Sequence, residues 1–220
     1  MIVPTRAGPD DLPCLSPGEA HLWWWPRRPG FESGDQRRPR IDALLHTTLR
    51  HYLGGRQARI EREPHGRPFL AMPDAPDFNL SDTDGGTVLA IVGTGRIGAD
   101  IERLDRRVPA ARLARRWFSD TEQAALAHLP QSVQAGAFIH LWTAKEAACK
   151  ATGTGIFGHL DRWRFALGAD DPVPLQPLPI EAGTPEDWQF VRVTPAPGFT
   201  VVLACCRVGL RRVRLILSEH

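Results

Sequence analysis

Glu146 and Lys150 stand four residues apart in Trp142-Thr143-Ala144-Lys145-Glu146-Ala147-Ala148-Cys149-Lys150-Ala151, a run free of Pro and Gly that Gly153 and Gly155 close. Good helix formers dominate it, so the carboxylate and the ammonium lie one above the other on a helical face, with Trp142 a turn earlier. Such a pair can be a solvated i,i+4 salt bridge contributing only about 0.3–0.5 kcal/mol. Chemistry needs a second acidic group brought to the same place. Asp100 and Glu102, in Ile97-Gly98-Ala99-Asp100-Ile101-Glu102, supply a candidate. On a strand they project to one face, while Ala99 and Ile101 project to the other. Like charges so placed repel, and a divalent cation relieves them; oxygen-only ligands suit magnesium or manganese rather than zinc. An exposed strand end entering a charged loop would carry the same residues.

These groups need elements to hold them. Apolar residues at helical spacing predict a helix from Ile41 to Leu53. The capping box Ser119-Asp120-Thr121-Glu122 opens another to His128, and Val133 to Thr152 carries Glu146 and Lys150. Residues 103–117, with Arg106, Arg107, Arg112, Arg115 and Arg116, read as a basic amphipathic helix. Strands are expected at His21–Trp25, Ala58–Glu63, Asp77–Ser81, Thr87–Val92, Ile97–Glu102, Trp163–Leu167, Trp188–Thr194 and Thr200–Cys206. Gly93-Thr94-Gly95-Arg96 is expected to close a hairpin between the fourth and fifth of these. Alternation at Val213, Leu215 and Leu217 leaves an edge strand or a partner contact open. Period two sends Trp23 and Trp25 to one face and Trp24 to the other, which favours packing on both sides over a stacking platform. Pro26 to Arg40 reads as an Arg-rich loop, either solvated or facing an anion near the following helix.

With 42% hydrophobic and 24% charged residues in 220, the chain has the composition of a folded domain. A net charge of +2 provides no global field for nucleic acid. The run Thr200 to Cys206 is far too short to span a bilayer, and Met1-Ile2-Val3-Pro4 begins no secretory apolar stretch, so a cytoplasmic protein is expected. Four cysteines without metal-ligand or disulfide-scaffold spacing are expected as thiols. Thr87-Val88-Leu89-Ala90 resembles Thr200-Val201-Val202-Leu203-Ala204, and each is preceded by the order helix, strand, strand. The expected class is therefore α+β, a pseudo-dimer of two similar halves, 21–105 and 106–220, each a small antiparallel sheet packed with a long helix, preceded by a flexible arm, 1–20. The pairing of halves within one chain favours a monomer.

Gly66-Arg67-Pro68, Phe78-Asn79-Leu80-Ser81, Ile97 to Glu102, Trp117-Phe118-Ser119 with Glu122, and Trp142-Thr143-Ala144-Lys145-Glu146 with Lys150 occur in an order that resembles the 4'-phosphopantetheinyl transferases of the large, surfactin-synthetase-activating type. The resemblance implies transfer of the phosphopantetheine arm of coenzyme A, with magnesium, to a serine of an apo acyl or peptidyl carrier protein, releasing adenosine 3',5'-bisphosphate. By motif position Asp100, Glu102 and Glu146 would hold the metal. Glu146 would take the serine proton, and Lys150, with Lys145 beside it, would face the phosphates. Arg67 and an arginine near the first long helix, Arg40 or else Arg38, would hold the nucleotide end.

Two departures stand out. Where many members have His after the Ser of Phe-Asn-x-Ser, this chain has Asp82, which cannot donate when ionised and repels a pyrophosphate. It is expected to turn away and leave Ser81 or Thr83 hydroxyls to compensate. The Arg-rich interval 27–40 also replaces a helix usual in the family. A non-catalytic coenzyme A or carrier-binding relative and a magnesium-dependent nucleotide hydrolase are the rival readings. The acidic helix of a carrier would meet the basic segment Arg106 to Arg116.

Overall fold

The computed structural model describes residues 4–8, 14–27, 34–156, 159–168 and 170–218. Its first half runs β1 (Thr5–Ala7), β2 (Glu19–Pro26), α1 (Gly34–Tyr52), β3 (Ile60–Arg62), β4 (Pro68–Leu70), β5 (Asp77–Thr83), β6 (Gly86–Val92) and β7 (Arg96–Arg103). Then come α2 (Ala110–Trp117), α3 (Asp120–Ala127), α4 (Gln131–Thr152), β8 (Trp188–Val193), β9 (Phe199–Cys206) and β10 (Arg212–Leu217). Strand β6 is buried along its whole length, and β2 and β5 pair antiparallel to its two edges. With both edges taken, β6 has no backbone groups left for β7, so the hairpin expected at Gly93–Arg96 does not form. Instead β7 pairs with β9 in a three-stranded sheet of order β7-β9-β8.

The alternating tail is not an edge. β10 lies parallel between β1 and β2, completing a five-stranded sheet of order β1-β10-β2-β6-β5. That sheet is therefore mixed rather than antiparallel, as the long chain path between β2 and β10 allows. Trp163–Leu167 likewise forms no strand; only Phe165 bridges to Pro174. α1 begins at Gly34, seven residues before the periodic stretch, and Pro39 within it forgoes one backbone bond. Of the arm, residues 1–3 and 9–13 lie outside the described residues, while Thr5–Ala7 pairs with β10.

The period-two pattern stacks the elements in four layers. Trp23 and Trp25 pack with Leu45 and Leu49 of α1, whereas Leu22 and Trp24 face Ala99, Ile101, Val201 and Leu203 of the second sheet. The far face of that sheet, with Val202 and Ala204, packs on α4 through Ala144, Ala147 and Ala148. Because Ala99 and Ile101 point between the sheets, Gly98, Asp100 and Glu102 must point at α4. Gly98 is the point of closest approach: a Cβ there would lie 2.0 Å from the Ala147 carbonyl oxygen and 2.5 Å from the Ala151 nitrogen. Gly98→Ala is therefore expected to push α4 off β7, lowering stability by roughly 1–3 kcal/mol in urea melts.

A pH dependence is also built into the first sheet. His21 is fully buried, and its Nδ1 lies 2.7 Å from the Tyr52 hydroxyl, which accepts from Trp23 Nε1 at 2.9 Å. Burial lowers the His21 pKa to about 4, with Glu19 opposing. The folded imidazole stays neutral while the unfolded one binds a proton below its ordinary value of about 6.5, so this contribution is complete above that pH and is lost as pH falls towards 4. The stability of wild type relative to His21→Gln is expected to shrink by about 3 kcal/mol between pH 7 and pH 4. Urea melts of both proteins across that range measure it.

Candidate active site

Three acidic side chains and one ammonium meet where β7 faces α4. Asp100 is 3% exposed; its Oδ1 accepts from Lys150 Nζ at 2.6 Å and from Ser81 Oγ at 2.8 Å. Ser81 Oγ in turn accepts from Lys150 Nζ at 2.8 Å and from the Ile101 amide at 3.3 Å. Asp100 Oδ2 is buried without a hydrogen-bond partner. Glu102 pairs with Arg106. Asp100, Glu102, Glu146 and Lys150 line one cleft of about 630 Å³, together with Ser81, Asp82 and Arg37.

The electrostatics follow from crowding acids in a partly dry place. Burial pushes the Glu146 carboxyl up to about 8, and the Asp100 charge adds to the shift while Lys150 opposes it. Burial, then Asp100, raises Glu102 to about 7 against Arg106 and Lys150. Burial alone would lower the Lys150 pKa, yet the surrounding carboxylates, Asp100 foremost, raise it. Among the described residues no three His, Cys, Asp or Glu side chains stand as a ready-made metal cage. In this arrangement Lys150 and Arg106 hold Asp100 and Glu102. The donor set nevertheless fits a hard cation: carboxylate oxygens only, one orphaned and buried, in groups whose ionised forms are penalised by one another.

The site is braced from β5. Asp77, Asn79 and Ser81, alternate residues on one face, accept from the amides of Ile97, Ala99 and Ile101 at 2.7, 3.0 and 3.3 Å, so side chains replace a backbone ladder between β5 and β7. Arg67, expected at the nucleotide, is 6% exposed and committed to this seam. It donates to Asp77 Oδ2 at 2.5 Å, to Ile97 O at 3.0 Å and to Lys150 O at 2.9 Å. It also borders a neighbouring cavity of about 350 Å³ that shares Leu80, Lys150 and Ile156 with the cleft.

Lys145, expected at the phosphates, is corrected by the structure: it is fully buried on another face of α4. Its Nζ donates to Glu122 Oε2 at 2.8 Å, to Leu160 O at 3.1 Å and to Trp163 O. One residue along a helix turns a side chain by about 100°, which carries Lys145 away from the cleft that Glu146 faces. Arg40 is half-buried on α1 and does not line the cleft, nor does Arg38; Arg37 does. Asp82 turns from the acids to Arg27 and Arg37. Arg37, from the arginine-rich stretch expected to be solvated or to face an anion, and Arg106, from the segment expected as a basic helix, both line this cleft. The β5 seam had a legible signal in three polar residues at period two within an otherwise apolar sheet.

The fold and site thus define an α+β protein with an acidic cleft, crossed by lysine and arginine, between a sheet edge and a long helix. Residues 96–206 match the family model for the 4'-phosphopantetheinyl transferase superfamily. The chain is 31% identical over 171 residues to the 4'-phosphopantetheinyl transferase HetI of a Nostoc species, covering 76% of this chain and 69% of HetI. It is 30% identical over 139 residues to Sfp of Bacillus subtilis, covering 61% and 60%, and 34% identical over 120 residues to psf-1 of Bacillus pumilus, covering 54% and 50%. The chain belongs to the 4'-phosphopantetheinyl transferase superfamily and is an enzyme of the transferase class. Its Bacillus relatives align it with the Sfp type.

Proposed function

We propose that this chain transfers the 4'-phosphopantetheine arm from coenzyme A to a serine of an apo acyl or peptidyl carrier protein, with magnesium, and releases adenosine 3',5'-bisphosphate. The observation that carries the reading is the meeting of Asp100, Glu102, Glu146 and Lys150 in one cleft. Asp100, through its unpartnered Oδ2, with Glu102 and Glu146, would hold the metal. Bound there, magnesium supplies charge neutralisation to the two phosphates and to the carboxylates. Glu146 takes the proton of the attacking serine, as a carboxylate within reach of the bound hydroxyl can. Lys150, held by Asp100 and Ser81 at the cleft, presents its ammonium to the leaving phosphate.

The carrier's acidic helix would meet α2, whose Arg112, Arg115 and Arg116 are exposed. Two related halves, 21–105 and 106–220, acting as a monomer, are part of the same proposal. In their favour, α1 leads to the antiparallel pair β5–β6 and α4 to the antiparallel pair β8–β9. A reducing, cytoplasmic setting accords with the free thiols of Cys14, Cys149, Cys205 and Cys206. Among the described residues no helix is long and apolar enough to cross a membrane. The test incubates the protein with coenzyme A, magnesium and apo carrier proteins and weighs the carriers by mass spectrometry. A phosphopantetheine adduct is expected; none on several apo carriers would overturn the proposal.

A further inference from the structure

Asp82 ends β5 at the cleft, and its negative charge is spent inside the protein. Arg27 donates to Oδ1 at 2.7 Å, Thr87 Oγ1 donates to the same oxygen at 2.6 Å, and Arg37 donates to Oδ2. Arg27 follows β2 and also donates to Thr83 O at 2.5 Å, while Arg37 sits in the first turn of α1. One carboxylate therefore ties two arginines from two elements to the strand pair β5–β6. Two guanidinium groups thus share a single carboxylate.

The two arginines are not equivalent. The Arg27 side chain is 14% exposed, whereas that of Arg37 is 37% exposed and lines the same cleft as Asp100, Glu146 and Lys150. A guanidinium with one nitrogen held by a carboxylate still presents N–H groups to a second anion, and phosphate matches that fork. An arginine already fixed by a partner loses less rotamer freedom when the anion arrives. Asp82 itself already accepts from three donors with its two oxygens and is turned away from any phosphate in the cleft.

We infer that Asp82 is a positioning residue: it holds Arg37, with Arg27 behind it, so that Arg37 binds a phosphate of the nucleotide end of coenzyme A. The inference rests on the transferase reading for the identity of the ligand. Asp82 acts through Arg37 and does not touch the substrate.

The test measures coenzyme A binding by calorimetry for wild type, Asp82→Ala, Asp82→Asn, Arg37→Gln and the Asp82→Ala/Arg37→Gln double variant, with steady-state kinetics alongside. Asp82→Ala and Arg37→Gln are each expected to weaken coenzyme A about tenfold, and the double variant no more than Arg37→Gln alone, since residues acting as one unit are not additive. The loss should appear in KM for coenzyme A and not in KM for the carrier, a split that general loosening of the fold would not produce. Asp82→Asn keeps the shape of the site if Asp82→Ala fails to fold, and it should bind coenzyme A more weakly than wild type. Wild-type affinity in the Asp82 variants, or losses that multiply in the double variant, would overturn the inference. A wild type that transfers to carrier while binding is insensitive to Asp82 sinks only this inference. Sensitive binding without transfer to any carrier sinks only the transferase reading.

Discussion

Replacing Glu146 by Gln is expected to lower phosphopantetheine transfer by about 100- to 10,000-fold, the range that follows from the proton-acceptor and metal-holding roles proposed for it. The amide keeps the shape and most of the hydrogen-bonding capacity of the acid but neither its charge nor its basicity. Glu146 projects from α4 into the cleft that Asp100 and Glu102 enter from β7, and no other described carboxylate of α4 lines that cleft. Stability should move the other way. Burial and the Asp100 charge penalise the ionised form of Glu146, so a neutral amide removes a cost, and the thermal midpoint should be at or above that of wild type. Carrier mass against time, with thermal melts of both proteins, gives the two readouts. A variant that transfers near the wild-type rate would remove Glu146 from the chemistry; one that is inactive because it is unfolded would show it in the melt.

The placement of the cleft residues was legible where a simple period fixes direction. Period two on β7 put Asp100 and Glu102 on one face, and the same rule on β2 sent Trp24 between the sheets and Trp23 with Trp25 towards α1. The capping box before α3 reads directly from Ser119 and Glu122, whose reciprocal bonds form as expected. Pairing partners were not legible, because a strand pattern says which face is buried and not which edge is free. β7 and β10 therefore went to neighbours no local signal names, and the apparent Gly-rich hairpin at Gly93–Arg96 became a crossing between sheets. Arg37 was hidden for a similar reason: an Arg- and Pro-rich stretch looks like a loop, yet the helix extends back through it and places that residue at the cleft.

Lys145→Met is expected to cost about 3–5 kcal/mol of stability, the range for breaking a buried ion pair from one side. Trp142, Glu146 and Lys150 form the more open stripe of α4, and Lys145 stands about 100° off it, among Thr143, Ala144, Ala147, Ala148 and Cys149, all of them buried. Among the described residues its ammonium is the only cation paired with Glu122; it also donates to the carbonyls of Leu160 and Trp163 and lies 4.8 Å from the centroid of the Phe118 ring. Glu122 would keep its bonds from Ser119 and from the Phe165 amide but would lose the cation that balances it. Burial already disfavours the charged lysine, with Glu122 opposing, so the pair survives only as a pair. Glu122→Gln/Lys145→Met should accordingly be more stable than the sum of the single variants implies, since an apolar or neutral pair of similar volume avoids desolvating two charges. Urea melts of the four proteins close this cycle. Transfer per folded molecule should fall far less in Lys145→Met than in Glu146→Gln, because the Lys145 ammonium lies outside the cleft; a loss as large as that of Glu146→Gln in a stable Lys145→Met protein would return Lys145 to the reaction.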